Sequence, residues 1–323
     1  MISSVKVINH LNQSLELELR RPHDTGLLIA NITGLGPGNA DILMTDLVTQ
    51  DGAIHNMSRR VPRNIVFTIK NTYTRDYDGN LAKLEEDTRL LTYRYFSLKK
   101  PLTLVFQTRN RRAMITGHVE SNEVVIFSNQ VHCTISIVCP DPNFYSEEMM
   151  YTTFEGVVDM FEFPYNNDVP TLIPGVSGFS NESLTENLIE MGEIWPRHMR
   201  TIHYTGDAEV GVILHLHARG SIVGFAILEY GTNNRMSINH DRLVAITGSG
   251  IIRNDHIIIS TIPGQKRITL IRNNQEYNIL NALNRDAFWF RLSQGDNTFA
   301  YTAETGIANV IFRLENRIAY EGI

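Results

Sequence analysis

Short runs in which every second residue is apolar recur along almost the whole chain, with Gly, Asn and Asp between them. A side-chain period of two is what a strand with one buried face requires. In residues 64–71, Ile65, Phe67 and Ile69 share one face; in 15–19, Leu15, Leu17 and Leu19 do. The same reading gives strands at 3–8, 28–33, 41–49, 102–108, 113–121 and 131–139, rich in Val, Ile, Thr and Phe. One segment follows another period. Leu81, Leu84, Thr88, Leu91 and Tyr95 are three and four residues apart, which predicts a helix over 81–96, about 24 Å long. Asn80 serves as its N-cap, and Pro101 stops its continuation. Lys83 with Asp87 and Glu85 with Arg89 lie one turn apart on its exposed side.

The run Cys139-Pro140-Asp141-Pro142 ends a strand abruptly, because proline cannot sit in a central ladder. A domain boundary is therefore expected near residue 148, dividing the chain into 1–148 and 149–323. The second part opens with Phe154, Phe161 and Phe163 in 149–164. Residues 164–192 are rich in Asn, Ser, Gly and Pro and read as a long loop, with a short helix at 184–191. Strands are then expected at 200–204, 210–218, 222–229, 235–238, 243–246, 257–261, 267–272, 288–292, 297–302 and 308–315. Short strands with Gly-rich turns point to a β-sandwich or jelly roll. No period of 20–50 residues marks a solenoid.

Composition removes several function classes. Of 323 residues, 42% are hydrophobic and 20% charged, so the chain has material for real cores and is not a disordered or low-complexity sequence. A net charge of −6 gives no general reason to expect binding to a phosphate backbone. No apolar run approaches the roughly 20 residues that span a bilayer, and the opening residues lack the apolar core of a signal peptide. The only two cysteines, Cys133 and Cys139, lie in one predicted strand and point to one face. They sit about 20 Å apart along it, whereas a disulfide needs its Cα atoms within about 7 Å. Two buried, reduced thiols are expected.

Gly34-Leu35-Gly36-Pro37-Gly38 is glycine-rich, but a strand follows it where a phosphate loop needs a helix N-terminus; it reads as a turn. His215-Leu216-His217 places two imidazoles on one strand face, the start of a metal site without identifiable further ligands. His203 and Asp207 are the neighbours considered, and the pair reads as structural. Gly175-Val176-Ser177-Gly178 lacks the strand–turn–helix setting of a nucleophile elbow. The acceptor sequons at Asn12, Asn31, Asn56 and Asn181 read as chance. Trp195 and Trp289 could line a sugar groove, but fit a core or an interface better. No catalytic set, metal site or cofactor site emerges, which favours a structural or binding protein.

The order of several short motifs adds to this. Gly34-Leu35-Gly36-Pro37, Ala40-Asp41-Ile42, Asp51-Gly52 and Arg63-Asn64-Ile65-Val66-Phe67-Thr68 resemble the distal tail protein (Dit) family of bacteriophages. So do Tyr95-Phe96-Ser97-Leu98-Lys99-Lys100-Pro101, Ile115-Thr116-Gly117-His118 and the strand ending Cys139-Pro140-Asp141-Pro142. In the second half, Phe161-Glu162-Phe163-Pro164, Tyr204-Thr205-Gly206-Asp207, Leu270-Ile271-Arg272 and Gly295-Asp296-Asn297 continue the resemblance. It runs over nearly the whole chain. It implies a mainly β protein: an N-terminal β-barrel or sandwich belt with one helix, then a galectin-like jelly roll. It also implies a homohexameric ring in the virion tail tip, joining the tail tube to tail-tip proteins and carrying receptor-binding proteins, without an enzymatic role. The alternatives are a carbohydrate-binding lectin-like module and a tail-associated glycan hydrolase.

Overall fold

A computed structural model describes residues 2–19, 25–47, 51–72, 74–75, 81–83, 85–125, 127, 131–158, 193–196, 199–232 and 234–323. The first half contains strands β1 (Ile2–Ile8), β2 (Ser14–Glu18), β3 (Leu27–Thr33), β4 (Ala40–Asp46), β5 (Ala53–Arg60), β6 (Arg63–Asn71), β7 (Thr74–Arg75) and β8 (Leu81–Lys83). Helix α1 (Glu85–Tyr95) follows, then β9 (Pro101–Thr108), β10 (Arg112–Val125), β11 (His132–Cys139) and β12 (Phe144–Ser146). One antiparallel sheet runs β2-β1-β9-β10-β11-β6-β3. It does not close into a barrel: β2 and β3 stay its edges.

Its inner face is the alternation seen in the sequence. Ile65, Phe67 and Ile69 of β6 are fully buried, opposite Cys133, Ile135 and Ile137 of β11. Phe67 packs on Phe106 and on Phe96, just past α1, with ring centroids 6.3 and 6.1 Å apart. Helix α1 begins at Glu85, later than the period suggested, because Leu81–Lys83 pair as a strand with Thr74–Arg75. Asn80 and Leu84 lie outside the described residues. Of the predicted inner face, Thr88 is buried and Leu91 and Tyr95 pack against the core; Thr92, which the period did not include, is buried with them. The helix ends before Lys99, whose positive φ of 62° turns the chain toward β9.

The second half contains β13 (Met150–Thr153), β14 (Glu155–Val158), β15 (Glu193–Pro196), β16 (Met199–Tyr204), β17 (Val210–Gly211), β18 (Ile213–Ala218), β19 (Ala226–Glu229) and β20 (Arg235–Ser237). After helix α2 (His240–Thr247) come β21 (His256–Ser260), β22 (Arg267–Arg272), β23 (Gln275–Asn278), β24 (Arg291–Leu292), β25 (Gly295–Thr302), β26 (Val310–Asn316) and β27 (Ala319–Tyr320). A six-stranded sheet, β13-β26-β18-β21-β22-β23, and a four-stranded sheet, β16-β25-β19-β20, share one core. Leu214, Leu216, Ile257 and Phe312 come from the first, and Ile202, Ile227, Phe299 and Tyr301 from the second. Phe154 stands 4.8 Å from Phe312 and 6.1 Å from Tyr301, tying the two layers together. This is the expected two-sheet sandwich.

Four expectations need correction, the first being that the strand expected at 222–229 shortens to β19, with residues 222 and 223 making only isolated bridges. Residues 243–246 form part of α2 rather than a strand. Asn239 caps it, accepting from the Arg242 N–H at 3.0 Å, and Gly248 closes it with a φ of 79°. The expected strand 210–218 is two strands in different sheets, β17 and β18, and 288–292 shortens to β24. The loop at 164–192, its helix at 184–191, the Gly175–Gly178 motif and Asn181 lie outside the described residues. Among the described residues no helix is long and apolar enough to cross a membrane.

Candidate functional site

The least self-sufficient element is the β4–β5 hairpin. Every residue of both strands is exposed. Its side chains include Ile42, Leu43, Met44, Ile54 and Met57, each more than half exposed. Ile42 and Leu43 are consecutive, so apolar groups point to both faces of the ribbon. An Asp41–Arg59 ion pair at 3.1 Å and an Asn56–Thr45 hydrogen bond at 2.6 Å decorate it. A two-stranded ribbon without a core is marginal in water, and exposed apolar surface of this kind marks an interaction site. Sequence reading found β4 but missed β5, whose residues are mostly polar.

A second feature joins the two halves. Residues 317–323 leave the second core and return to the first sheet, where β27 pairs with β12 and β12 with β10. Arg317 donates to the Ser146 carbonyl at 2.9 Å, and Ile318 N–H to Ser146 Oγ at 3.0 Å. The Tyr204 hydroxyl donates to the Ala208 carbonyl and accepts from Ala319 N–H. Arg63 lies at the centre of this seam. It is 5% exposed and donates to the carbonyls of Pro142, Gly34, Gly36 and Glu321, its guanidinium 4.6 Å from the Phe144 ring centre. The glycine-rich turn thus has a structural purpose. Gly34 has a φ of 84°, and a Cβ there would lie 2.1 Å from the Asn64 carbonyl oxygen. Ile323 N–H reaches the Leu35 carbonyl at 3.1 Å.

Beside the seam lies a cleft of about 740 Å³ between the halves, lined by Asp141, Tyr145, Glu209, Arg291, Glu315 and Arg317 among others. Burial, and then the hydrogen bond to Asp141 at 2.6 Å, push the Tyr145 hydroxyl pKa upward, so it stays protonated and donating.

The His215–His217 pair has a neighbour that sequence reading did not supply. His256 of β21 stands against both rings, with centroids 5.3 Å from His215 and 6.3 Å from His217. Burial, then His215, His217 and Arg313, lower the His256 pKa against the opposing pull of Glu315. His203 instead meets Asp296 at 2.7 Å on an exposed face, and the Asp207 backbone bonds to Ala319. Trp289 packs against the second core, with Lys266 5.1 Å from its ring centre. Trp195 pairs with Gly156 through β15, and its side chain is outside what is described. Asn12 lies in a turn at a φ of 58°, Asn31 on β3 and Asn56 on β5.

No family model matches the sequence, and no curated protein matches it. Solved structures do. The Dit protein of phage SPP1, described as a paradigm of the hub adsorption apparatus in phages that infect Gram-positive bacteria, superposes with a TM-score of 0.61 over 98% of both chains at 10% identity. The chain has the Dit fold. The phage P2 baseplate in its activated conformation matches less well, with TM-scores of 0.48 for the calcium form and 0.44 for the strontium form. Identities there are 10% and 9%, over 98% and 97% of each chain. Two of the motifs that suggested it, 63–68 and the strand ending at Cys139, lie on neighbouring strands of the first sheet, β6 and β11.

Proposed function

We propose that this chain is a structural component of a phage tail tip, assembling as a homohexameric ring that joins the tail tube to the tail-tip proteins. The observation that carries the reading is the Dit fold over the full length of the chain. The β4–β5 ribbon supports it physically. A ring needs one patch that meets a different patch on the next copy, and a two-faced apolar arm without a core of its own is such a patch. The second unit, a two-sheet sandwich, then projects as a platform for receptor-binding proteins. In this role the chain binds and positions partners and carries out no reaction.

The ribbon gives the test. Light scattering on the purified chain should report six chains per particle. Replacing Ile42, Leu43 and Met57 together by Ser should leave circular dichroism unchanged, because none of the three is buried, and should reduce the particle to one chain. A triple variant that keeps the wild-type mass would place the ring contact elsewhere.

A further inference from the structure

Three imidazoles meet on the outer face of the six-stranded sheet. His215 and His217 alternate on β18 and therefore share a face. His256 opens the neighbouring antiparallel strand β21, directly opposite His217 in the register and diagonal to His215. Two histidines spaced i, i+2 on one strand and a third across the ladder bring three imidazoles into one patch without any loop having to fold over them. Nδ1 of His215 lies 3.1 Å from Nε2 of His256, and the rings are within 26° of parallel. Tetrahedral zinc holds nitrogen ligands at about 2.0–2.1 Å, which puts two of them about 3.3 Å from each other. The pair already has that spacing.

The patch has one carboxylate and one guanidinium beside it: Arg313 is the cross-strand partner of His215 on β26. Glu315, nearly buried, sets Oε1 3.3 Å from His215 Nε2, an ion-pair distance without hydrogen-bond geometry. Nδ1 of His215 and Nε2 of His256 share a hydrogen bond as they stand, so an ion bound by both would replace the proton between them. The cationic Arg313 is held by Glu315 at 2.6 Å and by the Tyr151 ring at 5.4 Å. As the side chains stand, no three such groups among the described residues converge on one point. The exposed His217, edge-on to His256, is the one that has to turn.

We propose that His215, His217 and His256 form a site for a borderline-soft divalent cation of the zinc class, with Glu315 as the nearest carboxylate and water completing the coordination. The inference goes beyond the tail-tip reading and does not rest on it. Bridging β18 and β21, the ion would fasten the middle of the sheet. Imidazole ligands select zinc over magnesium, which prefers oxygen.

The experiment is isothermal titration of zinc chloride into the untagged, chelator-treated full chain, with magnesium chloride as the second probe. The expected result is one zinc per chain and no magnesium heat. His217→Ala, at an exposed position, should keep the metal-free melting temperature and bind zinc at least tenfold more weakly. His256→Gln should do the same. Absence of zinc binding by the wild type would overturn the proposal. So would equal affinity in wild type and His217→Ala, or equal binding of magnesium.

Discussion

Arg63 brings its five N–H groups to a point where carbonyls from residues 34, 36, 142 and 321 converge. Removing the guanidinium leaves those oxygens short of a partner in a seam where water has little access. Arg63→Met is therefore expected to cost about 3–5 kcal/mol, read as a fall in the denaturant midpoint. A loss below 1 kcal/mol would mean that the seam is solvated. The cysteines give a second residue-scale prediction. Both are fully buried and free, as their same-face spacing implied. Burial pushes the Cys139 thiol from 9.0 up to about 11. Neither should react with a thiol reagent at neutral pH in the folded chain, and both should react in denaturant. Because the folded pKa is the higher one, the buried thiol's contribution to stability is complete below about pH 9 and is lost as pH rises toward 11. Rapid labelling of the native protein would count against the packed core.

Among the elements, β27 is the one whose location the sequence conceals. Ala319-Tyr320 carries no strand signal, yet it adds to an edge that begins 175 residues earlier. The first unit is proposed to fold by itself, and β27 supplies the means of measuring what the returning tail adds. A fragment of residues 1–147 should show β-type circular dichroism. The same fragment with residues 317–323 attached through a flexible Gly/Ser linker should melt several degrees higher. Random-coil dichroism in both would refute an independent first unit, and equal melting would deny the tail its stabilising part. The strands that proved legible, β6 and β11, are buried on one face by neighbours within their own sheet, so their alternation is local. Of those that did not, β5 buries no face against the chain's own cores, and β27 pairs with distant chain. Residues 243–246, Leu-Val-Ala-Ile, were ambiguous because four apolar residues fit either period. Asn239 and Gly248 were the signals that decide for a helix. The imidazole patch was half legible: the i, i+2 pair is local, whereas His256 joins it only through a register that the sequence does not print.

At the scale of the whole molecule there are two cores, a seam and an exposed arm, and the proposed ring assigns the arm to contact with other copies. The first core is an open sheet, and its β4–β5 ribbon offers apolar surface on both faces. The second is a sandwich whose two sheets share one buried core. That division of labour agrees with a ring formed by the first unit and a platform formed by the second, and it keeps the seam at Arg63 as the joint between them. Negative-stain imaging of the purified full-length chain at high concentration tests this most directly. The account predicts class averages of closed rings with six-fold symmetry and second units at the periphery. Particles that remain single chains at every concentration, or rings of another symmetry, would contradict it.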